Sequence, residues 1–301
     1  MKGAIGRGLC WWVRVVPSCL ALLLLLSAQA LASAESDFAS TQQAAEAGDP
    51  KAQYALGVLW AKGLGTERDD SQALVWYRKA AEQGDALAQY NVALRYFKGV
   101  GVAPDNEQAF VWYEKAAAQG LAPAQYNVGL LYQEGIGTKR DCQQAMLWLR
   151  KAAQQGHRQA QARAGLLYDE GGCAPADDGK AIYWLEKAAA QGEASAQVRL
   201  GVKQAKGEGR PVDAKAAVVW FRKAALQGDG AGQYNLGLMN LRGQGLPQDE
   251  EKAYVWLSLA AAQGQQDAVL LSERTADQLT PEQRAKAEKI AAEIQAKIDK
   301  H

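Results

Sequence analysis

A tryptophan recurs every 36 residues in this chain: Trp76, Trp112, Trp148, Trp184, Trp220 and Trp256. Each sits in a copy of one phrase. It reads Ala73-Leu-Val-Trp-Tyr-Arg-Lys-Ala-Ala-Glu-Gln-Gly84 first, then Ala109-Phe-Val-Trp-Tyr-Glu-Lys-Ala-Ala-Ala-Gln-Gly120, and later copies end at Gly156, Gly192, Gly228 and Gly264. A second phrase lies between the copies: Ala52-Gln-Tyr-Ala-Leu-Gly57, Ala88-Gln-Tyr-Asn-Val-Ala93, Ala124-Gln-Tyr-Asn-Val-Gly129. A fixed period of this length points to a stack of like units, each burying the apolar face of its neighbour.

Both phrases predict helices. Ala73, Trp76, Tyr77, Ala80 and Ala81 follow the i, i+3, i+4, i+7, i+8 pattern of one apolar face, with Lys79 and Glu82 on the other side. Asp69 stands three residues before Gln72, a capping-box spacing, and Asp105, Asp141, Asp177, Asp213 and Asp249 repeat the aspartate. Gly84 fits a left-handed stop. In the second phrase Ala52, Leu56, Leu59 and Trp60 share a face, and Gly63 ends it. Gly57 and its equivalents Ala93, Gly129, Gly165, Gly201 and Gly237 are small enough for close helix approach. The six tryptophans are assigned to the structural core, with a ligand-stacking ladder as the alternative.

The pattern Ala-Gln-x-x-Leu-Gly, Gly-x-Gly, Asp, then Ala-x-x-Trp-Tyr-x-Lys-Ala-Ala-x-Gln-Gly resembles the Sel1-like repeat, a relative of the tetratricopeptide repeats. The match covers residues 49–264 six times. The resemblance implies an all-α fold, a right-handed α/α superhelical solenoid of six 36-residue helix-loop-helix repeats with capping helices at both ends. It also implies a non-catalytic adaptor.

Taken in order, residues 1–34 read as a secretory signal peptide. Lys2, Arg7 and Arg14 precede the short apolar run Leu20 to Leu26, and cleavage fits after Ala34 or Ala30. An uncleaved anchor is the alternative. Residues 35–48 read as an N-terminal capping half-repeat, with Ala44 and Ala45 in phase with Ala80 and Ala81. The repeats follow at 49–84, 85–120, 121–156, 157–192, 193–228 and 229–264 with no linker between them, as one elongated domain. Residues 265–301 read as C-terminal capping helices. Thr280-Pro-Glu-Gln283 starts one that runs through Ala285, Ile290, Ile294 and Ile298. A tail helix that engages a partner is the other reading.

Charge and cysteine usage narrow the function. Removing Lys2, Arg7 and Arg14 from 34 basic residues leaves 31 against 33 acidic, which gives no electrostatic footprint for nucleic acid. Cys10 and Cys19 leave with the leader. Cys142 and Cys173 remain, at loop and helix-start positions one repeat apart on the same edge of a stack. An exported chain with two such cysteines suggests a disulfide, and two buried or free thiols are the alternative. No Cys/His set has zinc spacing, so no metal and no cofactor are expected. His157 is expected to be a solvated cap residue. No nucleophile, base and orienter stand together. Some cysteine-rich relatives carry a β-lactamase label, but Ser-x-x-Lys, Ser-Asp-Asn and Lys-Thr-Gly are all missing here.

By resemblance to the tetratricopeptide arrangement, the first helix of each repeat lines a concave groove, with positions equivalent to 54, 55, 58, 61 and 62 facing inward. That column offers Tyr54, Tyr90, Asn91, Tyr126, Asn127, Tyr234 and Asn235, and in repeats four and five Arg163 and Arg199. These nine residues are the candidate partner site, an aromatic half beside an arginine pair suited to a carboxylate. Alternatively, both arginines are solvated or pair with Asp169 or Glu170. Arg95, Lys203 and Gln204 break the pattern nearby.

The function expected is a periplasmic or secreted scaffold, in a Gram-negative bacterium, that binds another envelope protein or peptide. It would meet the membrane only through that partner. An immunity protein against a secreted effector is the alternative, and a hydrolase of the β-lactamase-labelled type is a weaker third.

Overall fold

Asp–Gly punctuation divides the chain into short helices. The computed structural model describes residues 34–300, so the leader and His301 lie outside it. Fifteen helices are formed by the described residues, with no strand among them. Helix α1 occupies 34–46. Twelve repeat helices follow: α2 (Pro50–Lys62), α3 (Asp70–Glu82), α4 (Ala86–Lys98), α5 (Asn106–Ala118), α6 (Ala122–Glu134), α7 (Cys142–Gln154), α8 (Arg158–Glu170), α9 (Asp178–Ala190), α10 (Ala194–Lys206), α11 (Ala214–Ala225), α12 (Gly230–Arg242) and α13 (Glu250–Ala262). Last come α14 (Gln266–Ala276) and α15 (Pro281–Ile298).

The described residues divide into two compact units that part between Gln119 and Gly120. The division falls within one residue of the boundary between the repeats 85–120 and 121–156.

Aspartates start the second helix of every repeat. Asp69 accepts from the Ser71 and Gln72 amides, and Asp105, Asp141, Asp177, Asp213 and Asp249 do the same work. The reciprocal glutamine half of a capping box is made only at Thr280–Gln283 among the described helices. Within a hairpin the small residue lets the helices touch. A Cβ at Gly201 would lie 2.5 Å from the Phe221 ring.

Neighbouring repeats are joined by pairs of amides, one buried and one at the surface. Gln83 donates through Nε2 to Gln53 Oε1 (2.7 Å) and to Gly48 O (3.1 Å), while Gln53 Nε2 donates to Ala45 O. The same set recurs at Gln119 and Gln89 in the first unit, and at Gln155 with Gln125 and Gln191 with Gln161 in the second. The exposed glutamine of one phrase therefore satisfies the buried glutamine of the other.

Trp76, Trp112 and Trp184 are buried, and Trp148, Trp220 and Trp256 are partly buried. The lysine three residues on does not turn away. Lys79 Nζ lies 3.7 Å from the Trp76 ring centroid, and Lys115, Lys151 and Lys223 cover Trp112, Trp148 and Trp220 likewise.

Both ends differ from expectation in detail. In α1, Phe38 packs edge-on against Trp60 and Ala45 is buried, but Ala44 is exposed. The half-repeat has no first helix of its own, among the described residues, to cover Ala44. At the C-terminus the inward stripe of α15 is buried Ala287 and Ala291 with partly buried Ile294, while Ala285 and Ile290 are exposed and Ile298 is partly buried. This stripe covers Tyr254, Val255 and Leu259 of α13. Leu259 occupies the position held by Lys79, Lys115, Lys151, Lys187 and Lys223 in the other repeats.

Candidate functional site

The column of first-helix residues is half-buried throughout: Tyr54, Tyr90 and Asn91 in the first unit, Tyr126, Asn127, Arg163, Arg199, Tyr234 and Asn235 in the second. Tyr54 and Tyr90 lean on Tyr77 and Tyr113 of their own repeats. Asn91 and Asn235 return their side-chain amides to their own helices, at Leu87 O and Ala231 O.

The two arginines are not equivalent. Each meets a residue thirty positions earlier, on the first helix of the preceding repeat. Arg199 Nε donates to Asp169, and its terminal nitrogen lies 3.6 Å from Glu208. Arg163 Nε donates to the neutral Gln133 Oε1 at 2.8 Å, with Glu134 at 3.8 Å. Arg199 is thus committed to the protein's own carboxylates, whereas Arg163 keeps most of its fork for solvent or ligand. Sequence reading had offered Asp169 as one alternative partner. The thirty-residue register between the two positions is the signal that selects it.

Below Arg199 lies an ion cluster the sequence only hinted at. Lys203 and Asp169 have side chains 1% and 2% exposed and are paired, and Lys203 Nζ also reaches Asp178 at 2.6 Å. Burial pushes the Asp169 carboxyl up, but hydrogen bonds and charge from Arg199 and Lys203 outweigh it and hold it below the usual range. Position 203 carries leucine or methionine at Leu59, Leu131, Leu167 and Met239, and arginine at Arg95. Arg95 pairs with Asp70 as Lys203 does with Asp178. The cluster is structural cement between repeats.

In the same unit Tyr126 stacks on His157, ring centroids 4.9 Å apart. His157 caps α8 by accepting the Ala160 amide at Nδ1 (3.3 Å), and it is half-buried instead of solvated. Burial first, and the Arg158 charge second, lower its pKa below the ordinary imidazole value. The neutral ring is the one that caps, so His157 contributes fully above the unfolded pKa of about 6.5. That contribution is lost as pH falls from there through the lower folded value. Acidifying from about pH 7.5 to 5.5 should lower the Tm of the parent more than that of His157→Asp, whose carboxylate cap does not titrate in that window. Equal pH dependence in thermal melts of the two would show that His157 does not titrate on unfolding.

A pocket of about 130 Å³ opens on the first-helix face beside these rings, lined by Tyr126, Gln159, Ala162, Arg163, Leu166, Glu193 and Ser195. It lies across α6, α8 and α10. Cys142 at the start of α7 and Cys173 in the loop that follows α8 are bonded, Cα atoms 4.7 Å apart. Among the described residues no three His, Cys, Asp or Glu side chains converge as a metal site.

Comparison with known proteins fits this architecture. The Sel1 repeat profile matches residues 50–85, 86–121, 122–157, 158–193, 194–229 and 230–265. No curated protein matches the chain. The crystal structure of a Sel1 repeat protein from Oxalobacter formigenes is similar at 34% identity and TM-score 0.69, over 78% of this chain and 68% of that one. A protective antigen present in uropathogenic Escherichia coli strains and displaying an SLR fold is similar at 30% identity and TM-score 0.60. That match covers 86% of this chain and 63% of the antigen's. A looser likeness, to an immunity protein from Pseudomonas aeruginosa at 22% identity and TM-score 0.43 over 71% of this chain and 81% of that one, carries no functional argument. With six consecutive matches to one repeat, and hairpins built from that repeat's own glutamines, tryptophans and glycines, the chain belongs to the Sel1 repeat family.

Proposed function

We propose that this protein is a non-catalytic interaction scaffold of the bacterial envelope that binds an extended polypeptide segment along its first-helix face. The observation that carries the reading is the pocket across α6, α8 and α10 with Arg163 at its rim, on a repeat whose family serves as an interaction scaffold. A face built from parallel-register helices offers the repeated side-chain spacing an extended chain can follow. The bonded cysteines favour an oxidising compartment, in keeping with export to the periplasm behind the leader.

Crosslinked affinity purification of the tagged protein from periplasm, beside an Arg163→Ala variant of equal helicity, tests this. A discrete polypeptide captured by the parent and reduced several-fold in the variant is the expected result. Capture that is unchanged in the variant would remove the first-helix face from the reading. Failure to capture any polypeptide would overturn the scaffold itself.

A further inference from the structure

The pocket lies where repeat four lacks a ring that four of its five sisters carry, repeat five having Val198 in its place. Tyr54, Tyr90, Tyr126 and Tyr234 occupy the same position, and repeat four has Ala162 there. In repeats one and two that tyrosine packs on Tyr77 and Tyr113. In repeat four the partner position is Leu185, fully buried, and Ala162 is buried beside it. The space the ring would fill is left open to the surface between exposed Gln159 and Ser195.

Its walls define the occupant. Ala162, Leu166 and the Tyr126 ring make the interior apolar. The volume, about 130 Å³, is close to the ~150 Å³ of a cavity that admits a benzene ring, which is room for a branched aliphatic group. The two charges at the rim are unequal. Glu193 is neutralised by Arg158 at 3.1 Å, whereas Arg163 faces an uncharged amide and a carboxylate at 3.8 Å. The half-exposed guanidinium is suited to a bidentate carboxylate.

We infer that this pocket is an anchor subsite: it takes one aliphatic side chain of an internal partner segment, while the acidic side chain next to it is held by Arg163. The inference rests on the scaffold reading and adds the chemistry of the segment it binds.

Two-dimensional NMR of the intact mature protein, titrated with acetyl-Leu-Asp-amide and acetyl-Asp-Leu-amide, tests it without any knowledge of the natural partner. At least one should shift the signals of Ala162, Leu166, Ser195 and the Arg163 Nε–H with a Kd in the millimolar range. Acetyl-Leu-Asn-amide should bind about tenfold more weakly, the loss expected when one charged contact of about 1.4 kcal/mol is removed. Arg163→Gln should erase that difference. Ala162→Tyr, which restores the residue of the sister repeats, should abolish the shifts. Gln159→Trp, which closes the mouth from outside, should do so too and guards against misfolding of the first variant. Shifts absent from the parent, or retained in both filled variants, would overturn the inference, and so would tighter binding of N-acetylleucine, which would assign the site to a chain terminus. Periplasmic capture combined with silent dipeptides would leave the scaffold standing and remove only the anchor.

Discussion

Replacing Lys203 with methionine is expected to destabilise the second unit by about 3 kcal/mol, although methionine is what Met239 supplies at the same position one repeat later. The reason is the carboxylate left behind. Asp169 is as buried as Lys203 and would keep only Arg199, itself one-third exposed. Breaking a buried pair from one side typically costs about 3–5 kcal/mol, and the surviving arginine places this loss at the lower end. Asp169→Ala should cost more, because it leaves a fully buried ammonium with the half-exposed Asp178 and, at 3.8 Å, the partly exposed Glu208. The decisive variant is the triple Asp169→Ala/Arg199→Asn/Lys203→Met, which installs the set Ala205, Asn235 and Met239 already used by the next pair of repeats. Buried ion clusters replaced whole by a packed apolar set are often neutral, so the triple should recover to within about 1 kcal/mol of the parent. Urea unfolding followed by circular dichroism measures the differences. Hydrogen exchange in α10 localises them, since a repeat array need not unfold in two states. Acid gives a second reading. The stability that Asp169 contributes is complete above the unfolded carboxyl pKa of about 3.9 and is lost as pH falls through its lower folded value. The parent should therefore lose stability in acid more steeply than the triple variant. A single Lys203→Met as stable as the parent, or a triple as unstable as the single, would dissolve the argument.

How much of this was legible beforehand depends on whether the period or its exceptions were being read. Helix type, hairpin pairing, aspartate starts and glycine stops all came from residues repeated six times, because a repeated residue has one environment and one job. The glutamines were equally periodic, yet their hydrogen bonds join neighbours thirty and thirty-five residues apart, a register that helix periodicity does not display. Exceptions carried the local chemistry. Lys203 and Arg199 announced themselves by breaking columns, but only the structure shows that they converge on one carboxylate. Ala162 was visible as a lost tyrosine, while the void it leaves depends on Leu185 and Tyr126 not moving in to fill it. The lysine column misled in one respect: drawn on a helical wheel it faces away from the core, whereas its four-carbon stem lets the ammonium reach over the tryptophan ring. Leu259 was the unread clue to α15, since an apolar residue in a lysine column needs a cover.

Loss of the disulfide is the other large effect expected, and its size should depend on what replaces Cys173. In the other repeats this loop position is Gly65, Gly101, Gly137, Gly209 and Gly245. A Cβ at Gly101 or Gly245 would lie 2.3 Å from the carbonyl oxygen of the residue thirty-one places earlier, Asp70 or Ala214. Cys142 is the residue thirty-one places before Cys173. The bond therefore stands where other repeats press a bare glycine loop onto the preceding hairpin, and it substitutes a covalent link for that contact. Closing a loop of 31 residues is worth about 3–4 kcal/mol in the chain-entropy account. Cys142→Ser/Cys173→Ser should lose all of that and gain nothing, because a serine side chain occupies the glycine seat. Cys142→Ala/Cys173→Gly should lose less, because it restores the native contact of the sister repeats and can seat the loop. Denaturant midpoints of the two variants, and of the parent with and without reductant, order the cases. The parent should be most stable when oxidised, the alanine–glycine variant intermediate, and the serine pair least stable. Only the parent should respond to reductant. If the two variants were equally unstable, the loop would owe its position to the bond alone, and the glycine contact would not be the feature that the cysteines replace.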